Sequence, residues 1–445
     1  MFNEGISLFK ATGTAIFSNL EASKKIASLT DVPPDYHLAP WSMWGDDNAA
    51  AIEMMEDIKH TAVLSGSLHM KTRIALGKGI APYLITGSDI ITGVETLEPI
   101  IDTEINDWFE VNNVYENGYK AIYNQLAYGW STTQLLLNTS KDYINRIKVP
   151  DAVTCRLEKK NPKTGIIENL FLCANWQGKL AFNSEFMRTV PVLEEDYELA
   201  DLSSRKSGYE FAMLHRLQTD GFQYYPSPLW QSANLWVKIS RSIPIIKEAI
   251  HKNQMSIKYV ILIHDQYWKR NYKGWENKLT QTEREDIVRK KHAQINGWLT
   301  GEVNAGKTIV AGKYLDEMTQ KQISEIEILV IEDKWKDGKM LPDGAAADKQ
   351  ILFASLFNPA IMGSNLLGDG ASGGAGSGSD IRESFLVALM QMETERQMNN
   401  KLFYLIKRFN KWTRLETNGK RMVFRYNTTI LTTLDKGGSL QHTKA

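Results

Sequence analysis

Apolar side chains recur at helical spacing over several stretches of this 445-residue chain, separated by segments that alternate like strands. Phe2, Ile6, Phe9, Ile16, Phe17, Leu20 and Ile26 predict an amphipathic N-terminal helix or arm. The prolines of VPPDYHLAPW (32–41) end that pattern, because the residue before a proline is pushed towards extended backbone. Further helices are expected over about 49–74 and 98–112. Between 134 and 176 the pattern becomes strand-like in TQLLLN, INRIKV, AVTCRL and ENLFLCANW, with NPKTG as a turn.

In the second half, Leu229, Trp230, Ala233, Trp236, Val237 and Ile243 follow the helical period across 228–253. Ser227 suits the N-cap and Pro228 the first helical position, and Pro244 is expected to kink or divide the helix. KYVILI (258–263) reads as a short strand. The segment 279–300 predicts a helix with overlapping capping boxes, Thr280 to Glu283 and Thr282 to Glu285. Its apolar stripe is thin: Val288, Ile295 and Leu299, with Ile287 alongside. Such a helix suits packing beside copies of itself while facing water.

The segment GAAADKQILFASLFNPAIM predicts one or two helices ending at Pro359, with Ile351, Leu352, Leu356 and Phe357 apolar. GSNLLGDGASGGAGSG (363–378) follows, with seven glycines and three serines in sixteen positions. Composition alone reads as a linker. A helix on either side favours a moving contact element instead. After it, Ser379 or Asp380 is expected to cap a helix from 381 to about 412, with Ile381, Phe385, Leu389, Met392, Leu402, Ile406 and Phe409 on one side. The polar run ETERQMNNK (393–401) interrupts that side.

Charge changes the picture only by exclusion. Lys plus Arg and Asp plus Glu are 52 each, so the net charge is zero, and tight nucleic-acid binding as the main task is disfavoured. Cys155 and Cys173 show no C-x-x-C spacing; one disulfide is conceivable, and reduced thiols are the expected state. No apolar run has the length of a membrane span, and the N-terminus lacks a signal-peptide pattern, so a soluble protein made inside the cell is expected.

Candidate chemistry is sparse. GEVNAGKT (301–308) satisfies G-x-x-x-x-G-K-[ST], with Gly301, Gly306, Lys307 and Thr308 in the key places. A working phosphate loop follows a buried strand and opens a helix; here a capped helix precedes and the strand-like TIVAGKYL follows. A turn rich in Asn and Gly is the better reading. The eight histidines, at 37, 60, 69, 215, 251, 264, 292 and 442, show no paired ligand spacing. The run GAGSG (374–378) comes close to G-x-S-x-G, and no strand stands before it, as a nucleophile elbow requires. LEEDYELAD (193–201) reads as a solvated loop, and neither a catalytic centre nor a cofactor or metal site is expected.

The order of these features resembles the portal proteins of tailed double-stranded DNA bacteriophages, the head-to-tail connectors. The resemblance rests on YYPSPLWQSANLWVKISRSIPIIKEAIHKNQ (224–254), the helix 279–300, FNPAIMGS (357–364), GSGSDIRESF (376–385) and LAYGWSTTQLLLN…INRIKVPDAVTCRLEK (126–159), and spans about 110–430. It implies an α+β, portal-like ring subunit: a mixed α/β wing, long stem helices, a small α/β clip and a long helix after a tunnel loop. The implied parts are an N-terminal arm and wing (1–278), a first stem helix (279–299), a clip (300–341) and a second stem helix (342–362). A tunnel loop (363–379), a long wing helix (380–413) and a short C-terminal segment in place of a large crown (414–445) complete the set.

The resemblance further implies a non-enzymatic ring, usually of twelve subunits, at one capsid vertex of the virion, assembled in the host cytoplasm. DNA would pass its axis during packaging and ejection. Implied partners are the large terminase motor, major capsid and scaffold proteins, a head–tail adaptor and double-stranded DNA held transiently and without sequence preference. No membrane is implied. Ser364, Asn365, Gly370, Ser372, Gly373, Gly374 and Ser377 would face DNA; Asn304, Lys307 and Lys313 would dock the motor or tail; Val288, Ile295 and Leu299 would pack the stem. Net neutrality departs from the acidic balance often expected of such channels, yet suits a wall along which DNA must slide. The rival readings are a P-loop ATPase of the packaging machinery, resting on 301–308, and a non-channel head–tail adaptor or minor capsid protein.

Overall fold

Helix Val114–Tyr128 ends at Gly129, and that glycine shows how tightly this part of the chain is joined. Its φ is 83°, and a Cβ there would lie 2.2 Å from the carbonyl oxygen of Pro226, so only glycine lets the two backbones meet. The strand that follows, Trp130–Leu137, is buried on both faces and is the central strand of a three-stranded antiparallel sheet. It pairs with Glu210–Arg216 on one side and Ile144–Lys148 on the other.

The computed structural model describes residues 7–8, 15–16, 39–45, 48–89, 95–174, 176, 186–205, 207–217, 221, 224–254, 259–300, 312–315, 322–330, 341–362, 378–417 and 419–428. The chain forms two compact units, one of Met1–Val237 with Asp348–Ala445 and one of Lys238–Ala347. Both boundaries fall inside helices, Asn234–Gln254 and Leu341–Ala354.

The larger unit is mixed α+β. Its second sheet has Asn169–Leu172 between Cys155–Leu157 and Arg188–Pro191. Its third has Ile80–Ser88 between Arg421–Tyr426 and Glu95–Pro99. Helices Ala62–Leu76 and Val114–Tyr128 pack together over a core that includes Leu64, Leu68, Ile122, Trp130 and Trp230. A second core joins Trp108, Leu135 and Phe211 to Phe403, Ile406, Trp412 and Phe424. The smaller unit has two antiparallel pairs, Tyr259–Ile263 with Ile326–Val330 and Lys313–Leu315 with Gln322–Ser324, and helices Asp265–Asn271 and Gln281–Thr300.

Several expectations are corrected. The helix over 49–74 is two helices, Ala50–His60 and Ala62–Leu76, parted at Thr61, whose backbone is extended. The helix over 98–112 is a strand, Glu95–Pro99, then a shorter helix, Thr103–Val111, capped by Asp102 through the Ile105 N–H at 3.1 Å. In the N-terminal segment Ser7–Leu8 pairs antiparallel with Ala15–Ile16, so these positions are extended, not helical. The long helix over 381–412 is also divided, into Gly378–Gln391 and Glu393–Phe409.

Within the second of these helices ETERQMNNK turns one face inward: Arg396, Asn399 and Asn400 are buried. The Arg396 guanidinium donates to the carbonyls of Ala75 at 2.8 Å and Ile74 at 3.2 Å, closing the end of helix Ala62–Leu76. Both cysteines are buried, and neither is in a disulfide. Cys155 stands opposite Leu172 in the ladder, so its thiol and that of the next residue, Cys173, point to opposite faces of the sheet.

Candidate functional site

The glycine-rich segment is rooted at both ends in the larger unit. Helix Leu341–Ala354 closes with two backbone bonds, Phe357 N–H to Leu352 O at 2.9 Å and Leu356 N–H to Phe353 O at 3.0 Å. This bond pair accompanies a left-handed residue just past a helix end, usually glycine. Here it is Leu356, with φ 50°. Pro359–Met362 then forms a single 3-10 turn that packs on helix Gly378–Gln391, and Asn358 Nδ2 donates to Ser384 Oγ at 2.8 Å. The chain therefore leaves at Met362 and re-enters on the helix packed against that turn. This is the connectivity of a loop, not of a linker between units. Ser364, Asn365, Gly370, Ser372, Gly373, Gly374 and Ser377 themselves lie outside the described residues.

Leu356 is 47% exposed, so its strained backbone is not compensated by deep burial. Leu356→Gly should raise stability by roughly 0.5–1 kcal/mol, the left-handed strain removed less the extra freedom of glycine in the unfolded chain. Urea unfolding of the two proteins measures it; a loss of stability would mean that the leucine side chain outweighs the strain.

Helix Asn234–Gln254 carries apolar side chains on two sides. Val237 is fully buried in the core of the larger unit. Leu235, Trp236, Ile239 and Ile246 are exposed, and Ile243 is half-buried. At 3.6 residues per turn these five fall within an arc of about 100°, a continuous stripe opposite Val237. Trp230, by contrast, is no surface anchor: it is 1% exposed and its Nε1 donates to Ala127 O at 3.0 Å. Pro244 does not divide the helix, which runs through it without interruption. Ser227 does not cap it; its hydroxyl donates to Gln231 Oε1 at 2.6 Å, and Leu229–Ala233 is a 3-10 turn.

In the smaller unit, helix Gln281–Thr300 begins with the expected Thr280–Glu283 box: Thr280 N–H donates to Glu283 Oε2 at 2.8 Å and Glu283 N–H to Thr280 Oγ1 at 3.4 Å. The second box does not form, since Glu285 accepts from the Gln281 side chain instead. Val288 is half-buried and Ile295 buried; the Leu299 side chain lies outside the description. Trp268 stacks on Tyr272 and Trp275 and meets His292 edge-on, which supports this helix with aromatic contacts that apolar periodicity did not reveal. Asn304 and Lys307 lie outside the described residues, and Lys313 is exposed on the strand Lys313–Leu315. The segment 301–308 thus follows a helix, not the strand a phosphate loop requires.

The most perturbed histidine is His215, fully enclosed between strand Trp130–Leu137 and helix Glu393–Phe409. Its Nδ1 donates to Met398 O at 3.2 Å and its Nε2 accepts from Thr133 Oγ1 at 3.0 Å, which fixes the neutral tautomer. Burial, with a smaller contribution from Lys401 and against the bond to the Met398 carbonyl, lowers its pKa to about 4. The unfolded chain then binds this proton at higher pH than the folded one, so stability is full above about pH 6.5 and is lost as pH falls towards 4. The loss should approach roughly 3 kcal/mol. His215→Gln should melt lower at pH 7 yet lose less between pH 6.5 and 4.5; equal acid sensitivity in both proteins would contradict this assignment. Nothing in local sequence marked His215, because its partners lie far along the chain. Among the described residues no cluster of His, Cys, Asp and Glu could hold a metal, and no helix is long and apolar enough to cross a membrane.

No protein-family model and no curated protein matches the chain. Solved structures do. A chain in the neck of an empty gene transfer agent particle, with C6 symmetry, superposes with TM-score 0.52 at 10% identity, over 89% of this chain and 87% of that one. A chain in the neck of the native particle, with C12 symmetry, gives 0.53 at 10% identity, over 86% and 85%. A chain of the native gene transfer agent virion gives 0.52 at 10% identity, over 84% and 83%. The α+β fold expected for a portal-like subunit is therefore the fold observed, and this chain shares it along most of its length with neck proteins of a phage-like particle.

Proposed function

We propose that this chain is the portal-type subunit of a ring at one vertex of a phage-like capsid, through which double-stranded DNA is packaged and later leaves. The observation that carries the reading is the fold shared with neck chains of C6 and C12 particles over more than four-fifths of both partners. Two features of this chain support it: an apolar stripe left exposed on helix Asn234–Gln254, and a glycine-rich loop whose two ends share one root.

In this reading the ring holds about twelve copies, a heterologous closed assembly in which one face of each copy meets a different face of the next. Residues 364–377 line the axis; the loop has no Lys or Arg, so its contact with phosphates is weak and independent of sequence. Residues 304–313 dock the terminase motor and then the head–tail adaptor, and Val288, Ile295 and Leu299 pack the stem. The subunit performs no chemistry itself and works in the virion, with capsid and scaffold proteins as neighbours.

Electron microscopy of the purified protein tests the assembly: rings with an axial hole are expected, and a monodisperse monomer under all conditions would sink it. Lys307→Ala tests the rival ATPase. It should leave ring assembly intact and abolish no nucleotide binding, because none is expected; micromolar ATP binding lost on this substitution would favour the motor. Weakened terminase or adaptor binding would support the docking role.

A further inference from the structure

Lys71 is a lysine on the wrong side of the surface. It is 4% exposed on helix Ala62–Leu76, and its Nζ donates to Ser355 O at 2.7 Å. That carbonyl is at the end of helix Leu341–Ala354, one residue before the strained Leu356. A cation at a helix C-terminus is well placed for the helix dipole. One bond leaves two of the three ammonium N–H groups to serve the small cavity beside it.

The cavity measures about 40 Å³ and is walled by Leu68, Leu126, Leu229 and Trp230, with Lys71, Gln125, Ser355 and Glu395 as its polar lining. Gln125 Oε1, Ser355 Oγ and Glu395 Oε2 are all enclosed and find no hydrogen-bond partner among the described residues. Gln125 cannot turn to help, because its Nε2 is committed to Ser131 Oγ at 3.2 Å and Asn399 Oδ1 at 3.4 Å. Three orphaned polar atoms in one dry pocket would cost about 1–3 kcal/mol each.

Two of the three are acceptors only, so the site needs a ligand that donates as well as accepts. An organic molecule does not fit the volume. A metal ion would meet the Lys71 charge and only three side-chain oxygens. We propose that this cavity is a built hydration site, in which about one or two water molecules bridge the Lys71 ammonium to the Glu395 carboxylate and complete the bonding of Gln125 and Ser355. Burial pushes the Lys71 pKa down and the Glu395 pKa up, and each partner's opposite charge partly offsets the other's shift. Bridging water keeps the pair solvated without opening the core. Its role is positioning: it holds the ammonium that holds the root of the glycine-rich loop. This inference stands whether or not the chain forms a ring.

A crystal structure of the full chain, at a resolution that orders water, tests it. Solvent peaks are expected at about 2.7–3.1 Å from both Gln125 Oε1 and Glu395 Oε2. Glu395→Gln should keep them. Lys71→Met combined with Glu395→Leu should expel them and speed amide exchange at Leu356 and Phe357 about tenfold, the effect of one lost charge-assisted bond. A dry cavity, a direct Lys71–Glu395 contact, or unchanged exchange in the double variant would overturn the proposal. If that variant does not fold, the wild-type and Glu395→Gln structures still decide.

Discussion

Leu235→Asp combined with Ile239→Asp should leave a folded monomer in place of the proposed ring. Both side chains lie on the exposed stripe of helix Asn234–Gln254, Leu235 at 75% and Ile239 at 38% exposure, and neither belongs to a buried core of the chain. In the proposed ring this stripe is the contact face at each subunit junction. Burying a leucine or isoleucine contributes about 1.5–3 kcal/mol, and an unpaired carboxylate in its place costs several more. Both losses recur at each junction, so closure fails outright instead of weakening. Light scattering after size exclusion, with circular dichroism to confirm the fold, checks the outcome. Rings of normal mass would remove helix Asn234–Gln254 from the interface. The exposed Phe353, Val387 and Met390 would then be the next surface to alter.

Replacing Gly373 and Gly374 with proline should leave rings and empty proheads intact while DNA packaging or retention falls sharply. The effect follows from where the loop begins and ends. Its two roots are tied by the Asn358–Ser384 bond and by the turn packed on helix Gly378–Gln391, so the loop must close within a fixed span. Proline restricts each altered position to φ near about −65°, and the preceding residue to extended backbone. In the proposed ring, loops stiffened in this way cannot follow a duplex whose symmetry differs from that of the ring. Packaged genome length and rate per particle provide the readout; normal values for both would remove this loop from the DNA path.

Much of the fold was legible because local chemistry decides it. Thr280 and Glu283 cap their helix as their spacing predicts, and Tyr259–Ile263 forms the strand expected within KYVILI. What escaped the sequence was decided by partners far along the chain. Trp230 and Trp236 have the same helical spacing and the same chemistry, yet one fills the core under Ala127 and the other stays at the surface. ETERQMNNK reads as a polar interruption until Arg396 meets the carbonyls of Ala75 and Ile74, more than 300 residues earlier. The cavity of Lys71 is illegible for the same reason: its lining comes from five separate stretches of chain. Periodicity reports which side of a helix is apolar, and it is silent on which side has found a partner.

The edge strand Arg421–Tyr426 has a bearing on how the subunit is made. It pairs with Ile80–Ser88, and its Met422 and Phe424 fill the core beside Phe403. On the ribosome, Lys238–Ala347 is contiguous and can close as soon as it emerges, whereas the larger unit must wait for residues near 426. Until then Ile80–Ser88 has an unpaired edge over an unfinished apolar core, the kind of surface that chaperones shield and proteases find. A chain that stops before residue 421 lacks this strand, and so lacks both the third strand of its sheet and part of the core around Phe403.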